Sequence, residues 1–224
     1  MDEELIFQGD IILPYLGRNA LTTAAPWDQG IVPYMFDRRS DRFFQEQVLN
    51  AMETMYELTN GCIRFVPRTQ QGDFIAITSY ADECFSAFGR IVGLGPHFVH
   101  LGPGCRQQAT ILHELLHSLG FVHEQSRTDR DSYITVQYQN IIQRLRSQFD
   151  INRHTTTYGV PYDYESIVHY RQYEFSMNGR PTIITKDRRY QNIIGNVQTL
   201  SEKDILKLQI RQLNILYKCI NIFF

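Results

Sequence analysis

His113-Glu114-Leu115-Leu116-His117-Ser118-Leu119-Gly120-Phe121-Val122-His123-Glu124 decides how the rest of this chain is read. His113 and His117 stand four apart in a run of strong helix formers, so on a helix they share one face. Two imidazoles on one face can grip a single zinc ion. Gly120 offers a place for the helix to stop, and His123 can then fold back as a third nitrogen ligand. Three protein ligands leave one tetrahedral position for water, the mark of a catalytic rather than a structural zinc. Glu114 follows the first histidine and reaches that water rather than the metal, as a general base would. A bare His-Glu-x-x-His has as its lesser alternative a helix-face pair with a solvated glutamate. Gly120 and His123, in place downstream, select a zinc hydrolase site.

The flanking residues narrow the reading. Phe121-Val122-His123-Glu124-Gln125-Ser126-Arg127 and, far downstream, Ser166-Ile167-Val168-His169-Tyr170 closely resemble the astacin family of metzincin zinc endopeptidases. The similarity runs from Phe7 to Cys219. It implies an α+β fold with two lobes around a cleft: an N-terminal mixed sheet with helices, the zinc helix among them, and an irregular C-terminal lobe with a C-terminal helix. It also implies one catalytic Zn2+ held by His113, His117 and His123, with Glu114 and Tyr170 as catalytic residues. A phenol there can hydrogen-bond the oxyanion that forms as water attacks a peptide carbonyl; in the family it also binds the resting zinc and swings away for substrate. Metzincins carry methionine two residues before this tyrosine, where this chain has Val168, so the floor under the metal is shorter and stiffer.

The N-terminus has its own likeness. Phe7-Gln8-Gly9-Asp10 resembles the pro-segment motif whose aspartate takes the water's place on zinc, making Asp10 the candidate latency ligand and residues 1–18 a leader rather than a packed element. Residues 19–224 would then be the catalytic domain. Arg18-Asn19 resembles the maturation junction, cut by a trypsin-like protease. In the family the freed amino terminus is buried near the glutamate after the third histidine, here Glu124. A buried ammonium and carboxylate need one another.

Composition adds limits. A chain of 224 residues suits one domain, with room for two lobes. Its net charge of −2 argues against a sequence-independent grip on nucleic acid, and no apolar run approaches the ~18 residues of a membrane span. The four cysteines lack metal-module spacing and fit two disulfides or four buried thiols equally well. The resemblance favours Cys62 with Cys219 and Cys84 with Cys105, hence a secreted protein. Met1-Asp2-Glu3-Glu4 is acidic with no apolar run, so a secretion signal would already have been removed. The expected partners are extended protein or peptide substrates and the activating protease; a monomer is favoured. The rival functions are a catalytically silent zinc-binding recognition protein of the same fold and a zinc amidase or esterase, and intact Glu114 argues against the first.

Elsewhere, Ile31 to Phe36 reads as a strand, with Pro33 suggesting an edge or a strand start. Phe44, Val48, Ala51 and Met55 follow at helical spacing. Cys62 to Val66 and Asp73 to Tyr80 read as further strands. The resemblance places a substrate-binding edge strand between Cys84 and Cys105, with His97 and His100 as ordinary edge residues. Ile141, Ile142, Leu145 and Phe149 suggest another helix. Ser201 and Asp204 read as a capping box opening a C-terminal helix, which runs about five residues beyond the family pattern, over one turn. That extension bears on the Cys62–Cys219 pairing. Arg90, Arg171 and Arg180 are possible readers of substrate charge.

Overall fold

The computed structural model describes residues 6–14 and 20–213. Two short leader strands, β1 (Ile6–Phe7) and β2 (Ile11–Ile12), precede a one-turn helix α1 (Ala20–Thr23) and strand β3 (Ile31–Phe36). Helix α2 (Arg42–Leu58) follows, opened by Asp41, whose carboxylate accepts from Phe44 N at 2.7 Å. It buries Phe44, Val48, Ala51, Met52 and Met55, the stripe its spacing announces. Then come β4 (Arg64–Pro67), β5 (Phe74–Thr78), β6 (Cys84–Ala87), β7 (Pro96–Leu101) and helix α3 (Gln108–Ser118). The lower lobe holds only a small antiparallel pair among the described residues, β8 (Ile134–Val136) with β9 (Ile183–Thr185), before helix α4 (Glu202–Leu213) closes the described chain.

The main sheet runs β1-β2-β6-β7-β5-β3-β4 and is mixed, with β6 antiparallel to β7 and the β3, β4, β5 and β7 ladders parallel. Helices α2 and α3 supply the principal core together with Ile75, Ile77, Val99 and Leu101. The buried apolar face of α3, Ile111, Leu112, Leu115 and Leu116, stabilises by roughly 1.5–3 kcal/mol per side chain. The helix that carries the histidines is therefore fixed from behind by the core. A second cluster, including Ile141, Phe149, Tyr162 and Ile183, organises the lower lobe. This is the α+β, two-lobed arrangement expected.

Several expectations change. The leader is a packed element where it is described: Ile11 is fully buried, Leu13 nearly so, and both cluster with Leu21 and Phe88. Its order comes from β6 rather than from any periodicity of its own, since β2 pairs parallel with β6 and Ser86 N donates to Asp10 O at 2.8 Å. The segment 89–95, where the edge strand is expected, is instead the connection from β6 to β7, and β6 is an interior strand flanked by β2 and β7. Pro33 lies in an interior strand. It is tolerated because the β5 ladder begins only at Tyr34, leaving Pro33 paired on one side. His97 and His100 likewise sit buried in interior β7, where His97 Nε2 accepts from Ile91 N and His100 Nδ1 meets Thr78 Oγ1. The expected helix over Ile141 to Phe149 is a bridge at Ile141 followed by 3-10 turns over Gln143–Phe149. Ile141 and Ile142 have extended ψ values of 136° and 122°, and Ile142 N donates to Phe175 O, so helical turns begin only at Gln143.

Cys84 and Cys105 form a disulfide that ties β6 to the loop before α3. Cys62 is buried and is not a free thiol. Its expected partner, Cys219, lies outside the described residues, as do Arg18 and Asn19.

Candidate active site

Helix α3 sets His113, Glu114 and His117 on its cleft side, then ends at Gly120. Gly120 takes φ +90°, and the NH groups of Gly120 and Phe121 fold back onto the carbonyls of His117 and Leu116. A side chain there would collide with Arg211, whose guanidinium atoms would lie within 2.3–2.9 Å of a Cβ. Trp27 Nε1 donates to Ser118 O at 3.0 Å, satisfying another carbonyl of the last turn. The chain leaves in extended form and returns His123 to the same face.

One ligand atom from each of His113, His117, His123 and Asp10 lies within 4.8 Å of all the others. Their hydrogen-bond partners show how well they suit a metal. His113 Nδ1 donates to Ile167 O at 2.8 Å and His117 Nδ1 to Phe121 O at 2.6 Å. Those bonds fix the tautomer and leave each Nε2 lone pair facing inward. The two Nε2 atoms stand 2.9 Å apart, close for lone pairs with no cation or shared proton between them. His123 Nε2 and Asp10 Oδ1 are buried, lie 3.3 Å apart, and make no well-formed hydrogen bond. Burial holds His117 well below the ordinary imidazole value and His123 below it, which favours the neutral, metal-ligating form. Burial works against ionising Asp10, but His123, His117 and His113 together hold its carboxyl well below the usual range. The donor set, three imidazole nitrogens and one carboxylate oxygen, suits tetrahedral zinc.

Glu114 is buried beside this cluster, and its Oε2 has no hydrogen-bond partner among the described residues. Burial, with Asp10 close by, drives its carboxyl well above the usual value. Tyr170 faces the cluster from the lower lobe, its ring 4.4 Å from that of His123 between centroids. Its hydroxyl donates a short hydrogen bond to the leader carbonyl of Gln8. Val168, in place of the methionine, is buried in the main core, and its carbonyl accepts from Glu124 N at 3.0 Å.

The Ser166–Tyr170 turn is held by α4. Asp204 accepts from Ser166 Oγ at 2.7 Å and from Ile167 N at 2.9 Å, while Ser201 and Asp204 exchange the reciprocal bonds of a capping box. The site's position thus depends on a helix far downstream of the zinc motif. Glu124 is buried with Oε2 2.6 Å from Lys207 Nζ and Oε1 3.1 Å from Arg127 Nη1, and it also accepts from Asp163 N. Before any cleavage, the carboxylate expected to meet a freed amino terminus is already held by two cations. In the sequence Arg127 shows no assignable chemistry, and Lys207 carries no signal beyond its place on a helix face. Of the three arginines, Arg90 is spent on Asp28 and Asp73. Only Arg171 of the three lines the cleft, and Glu174, which no motif marks, lines it too.

Comparison with known proteins bears on this geometry. The sequence profile of the Astacin peptidase family matches residues 19–218. The chain belongs to the astacin family. Among curated astacin relatives, zinc metalloproteinase nas-7 of Caenorhabditis elegans is 38% identical over 95% of this chain and 54% of its own length. Meprin A subunit beta of Rattus norvegicus is 35% identical over 96% of this chain and 29% of its own length. The chain thus spans about half the length, or less, of these curated relatives. Among solved astacin structures, high choriolytic enzyme 1, a hatching enzyme zinc-protease from Oryzias latipes (Medaka fish), aligns with TM-score 0.77 at 33% identity, covering 87% of this chain and 96% of the other. Astacins are zinc enzymes, and the cluster of three histidines and one aspartate is where one metal ion fits this member. No helix among the described residues is long and apolar enough to cross a membrane.

Proposed function

We propose that this chain is a zinc-dependent endopeptidase held latent by its own leader, residues 1–18, and released by cleavage after Arg18. The observation that carries the reading is the convergence of His113, His117 and His123 beside a buried Glu114 whose Oε2 is unpartnered. His113, His117 and His123 would hold the metal; bound zinc supplies a Lewis acid that brings the pKa of water to about 7. Glu114 takes the proton of the attacking water and passes it to the leaving amine nitrogen. Tyr170, freed from Gln8 O, turns its hydroxyl to the oxyanion of the scissile carbonyl. Strand β6, freed from β2, offers its backbone to an extended substrate.

Latency follows from the same contacts. Asp10 sits among the three imidazoles, Gln8 engages the Tyr170 hydroxyl, and β2 covers β6. The family match beginning at residue 19 supports the boundary at Arg18–Asn19. The Cys84–Cys105 disulfide supports a secreted protein. To test the proposal, the chain is incubated with an unstructured protein before and after limited trypsin treatment, trypsin then being inhibited, with and without a zinc chelator. Cleavage that requires both maturation and metal is expected. Equal activity with chelator present, or none after maturation, would overturn it.

A further inference from the structure

We infer that Glu174 makes the cleft selective for substrates that place a lysine or arginine side chain next to the scissile bond. The inference rests on the endopeptidase reading and goes beyond it to the substrate class. Glu174 follows Tyr170 on one tight turn, its NH donating to Arg171 O at 3.2 Å. Its backbone carbonyl accepts from Thr182 Oγ1 at 2.8 Å, but its carboxylate has no hydrogen bond or ion pair among the described residues. That carboxylate shares the cleft wall with Phe175, Val197 and Gln198. A partly buried acid with no ion pair among the described residues, set beside Phe175, Val197 and the metal cluster, is a ready partner for a cation brought to it.

Burial raises the Glu174 carboxyl; Arg171 and, less, His113 work against the rise, while the leader's Asp10 carboxylate adds to it. Arg171 itself is exposed, and its Nε is already given to Gly195 O at 3.1 Å. Water and salt weaken what an exposed cation can contribute. The leader passes this wall with Gly9, where even a Cβ would come within 2.9 Å of Phe175 Cζ. Gln8 and Asp10 line the same cleft, and about 410 Å³ of it remains with the leader in place. A long basic side chain suits that space, because its methylene stem can lie on Phe175 and Val197 while its cationic head meets the carboxylate.

The test uses three peptides identical except for lysine, norleucine or glutamate at one position flanking the scissile bond. Calorimetric binding is measured with protein matured at Arg18, in a Glu114→Gln background that binds without cutting. Cleavage is measured with the unsubstituted matured enzyme, trypsin having been inhibited. Lysine is expected to exceed norleucine by about tenfold in both affinity and kcat/KM, with glutamate weakest. In Glu174→Gln the lysine advantage disappears, and in Glu174→Lys the order inverts. These are ratios within one protein, so partial loss of folding does not mimic them. Equal affinity for lysine and norleucine in the unsubstituted cleft, or an unchanged ratio in Glu174→Gln, would overturn the assignment. Selective binding with no cleavage of any peptide would leave the recognition standing and remove the peptidase reading instead.

Discussion

Glu114 has an oxygen that no described residue satisfies, and a buried carboxylate in that state is held for a task. Replacing it by glutamine keeps the volume and removes the base. Glu114→Gln in the matured enzyme is expected to lower kcat by at least about 10²–10⁴-fold while zinc stoichiometry, read by metal analysis, stays unchanged. Turnover within a few-fold of the unsubstituted enzyme would remove Glu114 from the proton transfer. His169, beside Tyr170, has the opposite character. Both its nitrogens are engaged, with Tyr170 O and Tyr162 OH at 2.7 Å each, and burial pushes its imidazole down from an ordinary 6.5 to about 4. The unfolded chain therefore binds a proton that the folded chain refuses between those values. The stability that His169 contributes is fully present above pH 6.5 and is lost as pH falls toward 4, by roughly 3 kcal/mol at most. Urea unfolding at about pH 7 and about pH 4.5 checks this: His169→Gln should show a shallower pH dependence, and parallel curves would rule it out.

The element of most consequence is the leader. Two strands of two residues each could not stand alone in water, so β1 and β2 exist because β6 and the histidines receive them. Gly9 turns the segment at φ +88°, with Phe175 too close for a Cβ. With Arg18→Gln blocking maturation, Asp10→Ala is expected to leak peptidase activity by losing the carboxylate facing the three imidazoles. Gly9→Ala should leak as well, since strain of about 1–3 kcal/mol falls on the bound leader alone. Fluorogenic peptide assays of the uncut proteins read both. Silence equal to that of the parent in both variants would take this segment out of the latency device.

Across the whole molecule, the two lobes are joined through charge buried behind the site. Lys207 reaches from α4 to Glu124, which follows the third histidine, and Arg127 completes the cluster. Removing Lys207 strands a buried carboxylate with one cation fewer. Lys207→Met is accordingly expected to cost about 3–5 kcal/mol in urea unfolding, with raised KM for peptide because Asp204, one turn earlier, positions the Ser166–Tyr170 turn. A loss below about 1 kcal/mol would mean the pair is worth no more than a surface bridge.

The metal chemistry was legible in residue order before any fold was known. Histidines four apart on a helix, a glycine to end it and a third histidine after it are constraints of local geometry, and local geometry is written in residue spacing. The apolar stripe of α2 and the Ser201–Asp204 cap could be read for the same reason. Folding in three dimensions was needed to make the leader part of the sheet, to set Pro33 inside it, and to hold Ile141 and Ile142 extended against Phe175 and Ser176. The same folding brought Lys207 to Glu124 and Glu174 to the cleft. Each of these depends on partners distant in the chain or on a strand supplied by another part of it. No spacing pattern records such partners, because the energy that selects them comes from burial shared between distant segments.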